Sequence, residues 1–188
     1  MNSTDEEIVN LYKKGDKDAF KILIERYTTP IFNFIKRHGI LEDAEDITQE
    51  IFIKVWKNIK KFDGEKASFK TWIFAVARNT SIDFLRKKKT ILFSELAENK
   101  EESFIENIPD NQLLPNEILQ KLQDKKFLEN LLNNLSFEYR EILMLYYMEE
   151  MTFNEIGIVL NKSINTVKSQ HRRAIQKLRK IASQKFYF

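Results

Sequence analysis

Thr152-Phe-Asn-Glu-Ile-Gly-Ile-Val-Leu-Asn-Lys-Ser-Ile-Asn-Thr-Val-Lys168, continuing to Lys180, sets the architecture of this chain. Its first part reads as a short helix with Ile156, Val159 and Leu160 on one face. Asn161-Lys162-Ser163 interrupts the pattern, and Ile164 to Lys180 reads as a second helix. Gly157 lacks the side chain that would keep a crossing helix away. Asn161 tolerates the left-handed backbone of a tight corner, and Ser163 offers an N-cap oxygen to orphan helix N–H groups. This is the layout of a helix-turn-helix, whose second helix enters the major groove of DNA. Lys162, Lys168, Arg172, Arg173, Lys177, Arg179, Lys180 and Lys185 are basic, and no Asp or Glu follows Glu155. A solvated basic face would need only the charge; the glycine, the corner and the single sign of charge together point to DNA. Val167 and Ala174, seven residues apart, are expected to face inward. Thr166, Lys168, Ser169, Gln170, Arg172, Arg173 and Lys177 then provide the outward donors to duplex DNA.

Composition narrows the rest. The 188 residues include 43% apolar residues, enough for real cores, and only 4 Gly and 3 Pro, which favours helices over a turn-rich β fold. With no Cys, disulfides, thiolate metal sites and thiol nucleophiles are excluded. No apolar run has the length of a membrane span and the first ten residues are acidic rather than signal-like, so a cytoplasmic protein with no membrane insertion is expected. Residues 1–90 carry 18 Lys plus Arg against 14 Asp plus Glu; residues 91–118 carry 1 against 7; residues 119–188 carry 12 against 7. Two mildly basic blocks therefore flank an acidic connector, a pattern that speaks of partners.

Within the first block Phe20, Leu23, Ile24, Tyr27, Ile31, Phe34 and Ile35 recur at helical spacing, and Pro30 is expected to bend or break this run into two helices. Ile47, Ile51, Val55 and Ile59 mark a helix over 43–60, whose acidic start suits the positive end of a helix dipole. Its other face carries Asp46, Gln49, Glu50 and Ile53, polar with an apolar centre, as on a docking surface or a plain solvated face. Metal binding by the carboxylates of 42–50 is disfavoured, because neither His38 nor His171 is placed for a Glu-x-x-His pair, and no metal or other cofactor is expected. Residues 62–68 read as a loop, followed by a helix from Phe69 to Lys89 that mixes aromatics with Lys70, Arg78 and Arg86. Rings beside cations suit unpaired nucleic acid, although rings at helical steps also build cores. Periodicity fades from Thr90 to Asn116, read as an acidic linker. Leu119 to Leu132 gives one helix and Ser136 opens another. The expected fold is all-α, with domains at 10–90 and 119–183 and a linker at 91–118. No catalytic constellation is present, and no enzyme is expected.

These blocks resemble the sigma-70 family of bacterial RNA polymerase sigma factors, in its small extracytoplasmic-function (ECF) group. Gly15-Asp-Lys-Asp-Ala-Phe20, Glu45-Asp-Ile-Thr-Gln-Glu50, Val55-Trp56, the run from Phe69 to Asn79 and Asp83-Phe-Leu-Arg86 resemble region 2. Leu135-Ser136, Tyr139-Arg140, Thr152-Phe-Asn-Glu-Ile156, Thr166-Val-Lys-Ser169, Ala174 and Leu178 resemble region 4. The resemblance implies a non-catalytic initiation subunit that binds core RNA polymerase through its β′ and β subunits and opens promoter DNA. It places Asp46, Gln49, Glu50 and Ile53 on the core polymerase. Phe62, Asp63, Lys66, Ser68, Lys70, Trp72, Arg78, Asn79 and Arg86 fall on the melted −10 element. The helix-turn-helix falls on the −35 element, and the acidic linker on the RNA exit path. With no bulky amino-terminal region, middle domain or carboxy-terminal extension expected, regulation by an anti-sigma factor is implied. Gln170, His171 and Gly157 depart from the family pattern, where Arg, an apolar residue and Ala are more usual. The rival reading is a stand-alone helix-turn-helix regulator without a sigma role.

Overall fold

The computed structural model describes residues 3–95 and 134–186, with the side chains of 89–95 and 182–186 left aside. The described residues form helices throughout. They are α1 (Asp5–Lys13), α2 (Asp18–Arg37), α3 (Ala44–Asn58) with a 3-10 turn at Ile59–Lys61, α4 (Phe69–Glu95), α5 (Phe137–Tyr147), α6 (Phe153–Leu160) and α7 (Ile164–Phe186). The expected helix over 119–132 and most of the acidic linker lie outside the described residues.

The apolar periodicities become the core. Leu23, Ile31 and Ile35 of α2, Ile51 and Val55 of α3, Ile59 just beyond it, and Phe69, Ile73 and Ala77 of α4 are wholly buried. Truncating any one of the large aliphatic side chains to Ala would cost about 2–5 kcal/mol. The first packed block starts earlier than residue 10. Thr4 and Glu7 form a reciprocal capping box, and Ile8 and Val9 of α1 enter the core, a signal too short to show as periodicity. α4 also runs to Glu95, past the expected end at Lys89.

The break expected at Pro30 does not occur, for α2 is a single helix from Asp18 to Arg37 with Pro30 inside it. A mid-helix proline removes one backbone donor and costs roughly 3 kcal/mol. Buried side chains on both sides of it, Phe20, Leu23 and Tyr27 before and Ile31, Phe34 and Ile35 after, outweigh that local loss.

The corner of the helix-turn-helix forms as its sequence implies. Thr152 caps α6 in a second capping box with Glu155, and Asn161 takes the left-handed conformation (φ 53°, ψ 49°). Ser163 Oγ accepts from the Thr166 N–H at 3.2 Å. A Cβ on Gly157 would stand 2.9 Å from the Lys162 carbonyl oxygen, so the bare backbone here is what lets the corner fold tightly onto α6. Val167 and Ala174 are fully buried.

The two blocks also meet. α4 packs against α2 and α3 on one side and α6 on the other, and one continuous apolar cluster runs from Ile8 to Val167. Asn161→Val should destabilise the full chain by about 1–2 kcal/mol, the cost of a left-handed β-branched residue, while Asn161→Gly stays near wild type. Urea unfolding of the three proteins measures the difference.

Candidate nucleic-acid and polymerase-binding sites

On α3, spacing alone fixes the arrangement. Residues 46, 49, 50 and 53 fall at i, i+3, i+4 and i+7, so Asp46, Gln49, Glu50 and Ile53 share one exposed face. Ile53 is 50% exposed, and Trp56, three residues on, is 54% exposed. Trp56 is among the residues that resemble region 2, but its indole was not placed on this face from sequence. Its signal was there, since it lies off the Ile47/Ile51/Val55 stripe. Glu50 pairs with Lys54 at 2.7 Å, a surface contact of small energetic weight.

Of the nine residues assigned to the melted strand, Asp63 and Trp72 are half-buried and the other seven fall into three groups. Phe62 turns inward: it is 7% exposed, with its ring centroid 5.6 Å from Phe69 and 5.4 Å from half-buried Trp72. Its ring therefore belongs to the core, while its carbonyl accepts from Lys13 Nζ at 2.6 Å. Lys66, Asn79 and Arg86 lie exposed, with Lys66 paired to Asp63 at 3.1 Å and Arg86 to Asp83 at 2.9 Å. The Lys66 ammonium and the Glu65 N–H hold the Asp63 carboxyl below its ordinary pKa. Ser68, Lys70 and Arg78 face the second block instead. Between α1 and the 62–65 loop opens a cavity of about 460 Å³, lined by Glu6, Asn10, Lys13, Phe62, Asp63, Gly64 and Glu65. Glu6 and Asn10 reach it from a helix that sequence periodicity did not reveal.

On α7 Thr166, Lys168, Arg172, Arg173 and Lys177 are exposed, and Ser169 and Gln170 are half-buried. Ser169 Oγ donates to the Thr166 carbonyl at 2.9 Å. Gln170 is held at both ends of its amide: its oxygen accepts from Lys162 Nζ and its nitrogen donates to Glu138, each at 3.1 Å. A base edge would have to displace these partners before Gln170 could read it. His171 sits among Tyr146, Tyr147 and Phe153, with ring centroids 4.8, 5.6 and 5.2 Å away. Burial pushes its imidazole pKa below the ordinary value.

Residues 23–91 match the family model for Sigma-70 region 2, and residues 131–180 match that for Sigma-70, region 4. The ECF RNA polymerase sigma factor SigW of Bacillus subtilis (strain 168) is 34% identical over 171 residues, 89% of this chain and 91% of the relative. The ECF RNA polymerase sigma-E factor of Haemophilus influenzae is 28% identical over 91% of each chain. Among solved structures, CnrH in complex with the cytosolic domain of CnrY superposes with a TM-score of 0.68 at 21% identity, covering 97% of this chain and 99% of that one. The sigma factor RpoE in complex with the anti-sigma factor NepR from Bartonella quintana gives 0.68 at 21% identity, covering 87% and 96%. At such identities these two show a common fold.

The folded chain favours neutral His171, so wild type should lose stability as pH falls below about 6.5, the unfolded imidazole value. His171→Phe should remove that component while leaving the remaining pH dependence in place. Chemical denaturation of both proteins at neutral and mildly acidic pH measures the difference.

Proposed function

We propose a division of labour between two grips for this chain, which belongs to the extracytoplasmic-function group of the sigma-70 family of bacterial RNA polymerase sigma factors. It is a transcription initiation factor and not an enzyme. Phosphodiester chemistry belongs to the core polymerase it recruits. The chain supplies promoter selection and strand opening.

In this reading the exposed face of α3 docks on core polymerase. Asp46, Gln49 and Glu50 provide acceptors around Ile53, and Trp56 extends the apolar centre. The cations of α7 hold duplex DNA at the −35 element. Lys168, Arg172, Arg173 and Lys177 supply sequence-independent affinity through phosphates, with base reading added by whichever of them reaches a base edge. The 62–68 loop and the exposed Asn79 take the −10 element. Extruding a base costs a few kcal/mol, which capture offsets. The cavity beside the loop is large enough for a nucleobase and carries the acceptors Glu6, Asp63 and Glu65. Phe62 serves as the wall of that cavity rather than as a stacking platform.

The observation that carries the proposal is the separation of surfaces. An acidic face with an apolar centre lies on α3 and a cationic face on α7, each exposed and each on its own helix. A stand-alone DNA-binding regulator would leave the α3 face without a role. Among the described residues no helix is long and apolar enough to cross a membrane. We place the chain's action in the cytoplasm, where core polymerase works. An anti-sigma partner is proposed by analogy with the fold relatives solved with CnrY and with NepR.

Run-off transcription with purified core polymerase on promoters mapped by transcript ends tests the reading. Arg173→Ala should reduce −35-dependent transcription about fivefold or more, the effect of losing one charged contact of about 1–3 kcal/mol, with core affinity unchanged. The double variant Gln49→Ala, Glu50→Ala should do the converse, weakening core binding while the chain's own affinity for duplex DNA persists. Loss of core binding in Arg173→Ala would refute the assignment of separate surfaces. Asn79→Ala should slow open-complex formation at the preferred −10 sequence, and unchanged melting would argue against base capture there.

A further inference from the structure

Glu6, Asn10 and Lys13 stand at helical steps along one face of α1, and all three line the cavity beside the 62–68 loop. Two of them hold the loop at its ends. Lys13 Nζ donates to the Phe62 carbonyl at 2.6 Å, where the loop begins. The Phe69 N–H donates to Glu6 Oε1 at 3.1 Å, where the loop ends and α4 starts.

The loop's own hydrogen bonds shape a turn without fixing where that turn stands. Asp63 Oδ1 accepts from the Glu65 N–H at 3.1 Å, and the Asp63 carbonyl accepts from the Lys66 N–H at 3.2 Å. Both contacts stay within residues 63–66. At the far end Ser68 Oγ accepts from the Thr71 N–H, one of the orphan donors that open α4, and Glu6 takes another. A carboxylate there also meets the positive end of the helix dipole. A Cβ on Gly64 would lie 3.6 Å from Glu6 Cγ and 3.7 Å from Phe62 Cε1, an ordinary contact, so the loop sits directly against α1.

α1 is itself held in place. Ile8 and Val9 are buried in the first block, Thr4 and Glu7 cap the helix, and Asp5 accepts from Arg26 and Tyr27 of α2. At its other end a turn at Gly15 (φ 109°) leads into α2, with Asp16 Oδ1 accepting from the Asp18 and Ala19 N–H groups. The position of the loop is thereby referred through α1 to α2 and the core.

We propose that α1 belongs to the strand-opening machinery: Lys13 and Glu6 are positioning residues that hold the 62–68 loop in the shape that receives an extruded base. Neither has to touch DNA for this. The proposal rests on the reading of that loop as a −10 contact. A loop ordered on folding needs no ordering at the moment of capture, which leaves more of the capture energy to offset unstacking.

The full chain with purified core polymerase, on a promoter mapped by transcript ends, provides the test. Lys13→Met keeps the aliphatic stem and removes the donor; Glu6→Leu removes the acceptor. Each should slow opening, followed by permanganate reactivity of the −10 thymines, about tenfold. In the free chain each should speed hydrogen exchange across 62–69 while α2 and α3 stay protected. Lys13→Arg and Glu6→Gln, which restore a donor and an acceptor, should recover both readouts. Unchanged exchange in Lys13→Met and Glu6→Leu would overturn the clamp. Faster exchange with unchanged opening would overturn the positioning role. A Lys13 that meets phosphate directly would lower the salt slope of −10 strand binding by about one in Lys13→Met, which would also overturn it; positioning leaves that slope as in wild type. Gly64→Val builds a side chain into the cavity itself and separates the clamp from the reading beneath it. Slow opening in Gly64→Val alone would sink the clamp and keep the loop on DNA. Normal opening in Gly64→Val would sink the loop reading and the clamp with it.

Discussion

α4 has to satisfy two neighbours at once, and that constraint organises this molecule. Phe69, Ile73 and Ala77 bury against the first block, while Thr71 and Arg78 meet acidic residues of the second. A helix packed on both sides cannot be shifted to suit one partner without disturbing the other. The register of α4 therefore decides which polar residues reach solvent, and Asn79 is exposed between half-buried Arg78 and buried Thr80. A shift that put Asn79 where Thr80 sits would lose it to the interior.

Electrostatics sets the two exposed surfaces apart. The α3 face is acidic around an apolar centre, which suits a protein partner; the α7 face is cationic, which suits phosphate. Between them lie carboxylates whose ionisation the fold itself adjusts. Burial raises Glu149, opposed by the nearby Lys70 and Arg37. For Glu155 the upward push of burial is outweighed by the Thr152 N–H and hydroxyl, the Thr71 hydroxyl and Lys70, which together hold it below its ordinary value. Glu155 thus serves as the reciprocal cap of α6 and as an acceptor facing α4. A single side chain links the start of the helix-turn-helix to α4.

Much of this was legible in the sequence where one signal dominated. Strict four-residue spacing revealed the buried stripe of α3, and the seven-residue interval from Val167 to Ala174 revealed the inner face of α7. The Asn161 corner was readable because few residues accept a left-handed backbone. Pro30 misled, since a local penalty says nothing of the tertiary contacts that outweigh it. The resemblance put Phe62 among the −10 contacts, and loop composition does not show that its ring packs against Phe69 and Trp72. Glu141 was missed altogether: a buried acid on an otherwise apolar face makes sense only once His38 and Arg78, distant in sequence, are brought beside it. The same limit applied to Gln170, whose amide looked available until Lys162 and Glu138 were found at its two ends. Periodicity marks which faces are apolar, and it is silent on which faces meet.

The account stands most directly on strand opening that requires both the chain and core polymerase. Permanganate reactivity of thymines across a mapped −10 element measures that opening base by base. With chain and core together the non-template thymines should become reactive, and with either alone they should stay protected. A duplex that remains unreactive in the complete mixture, while the chain alone binds it tightly at the −35 side, would contradict the account.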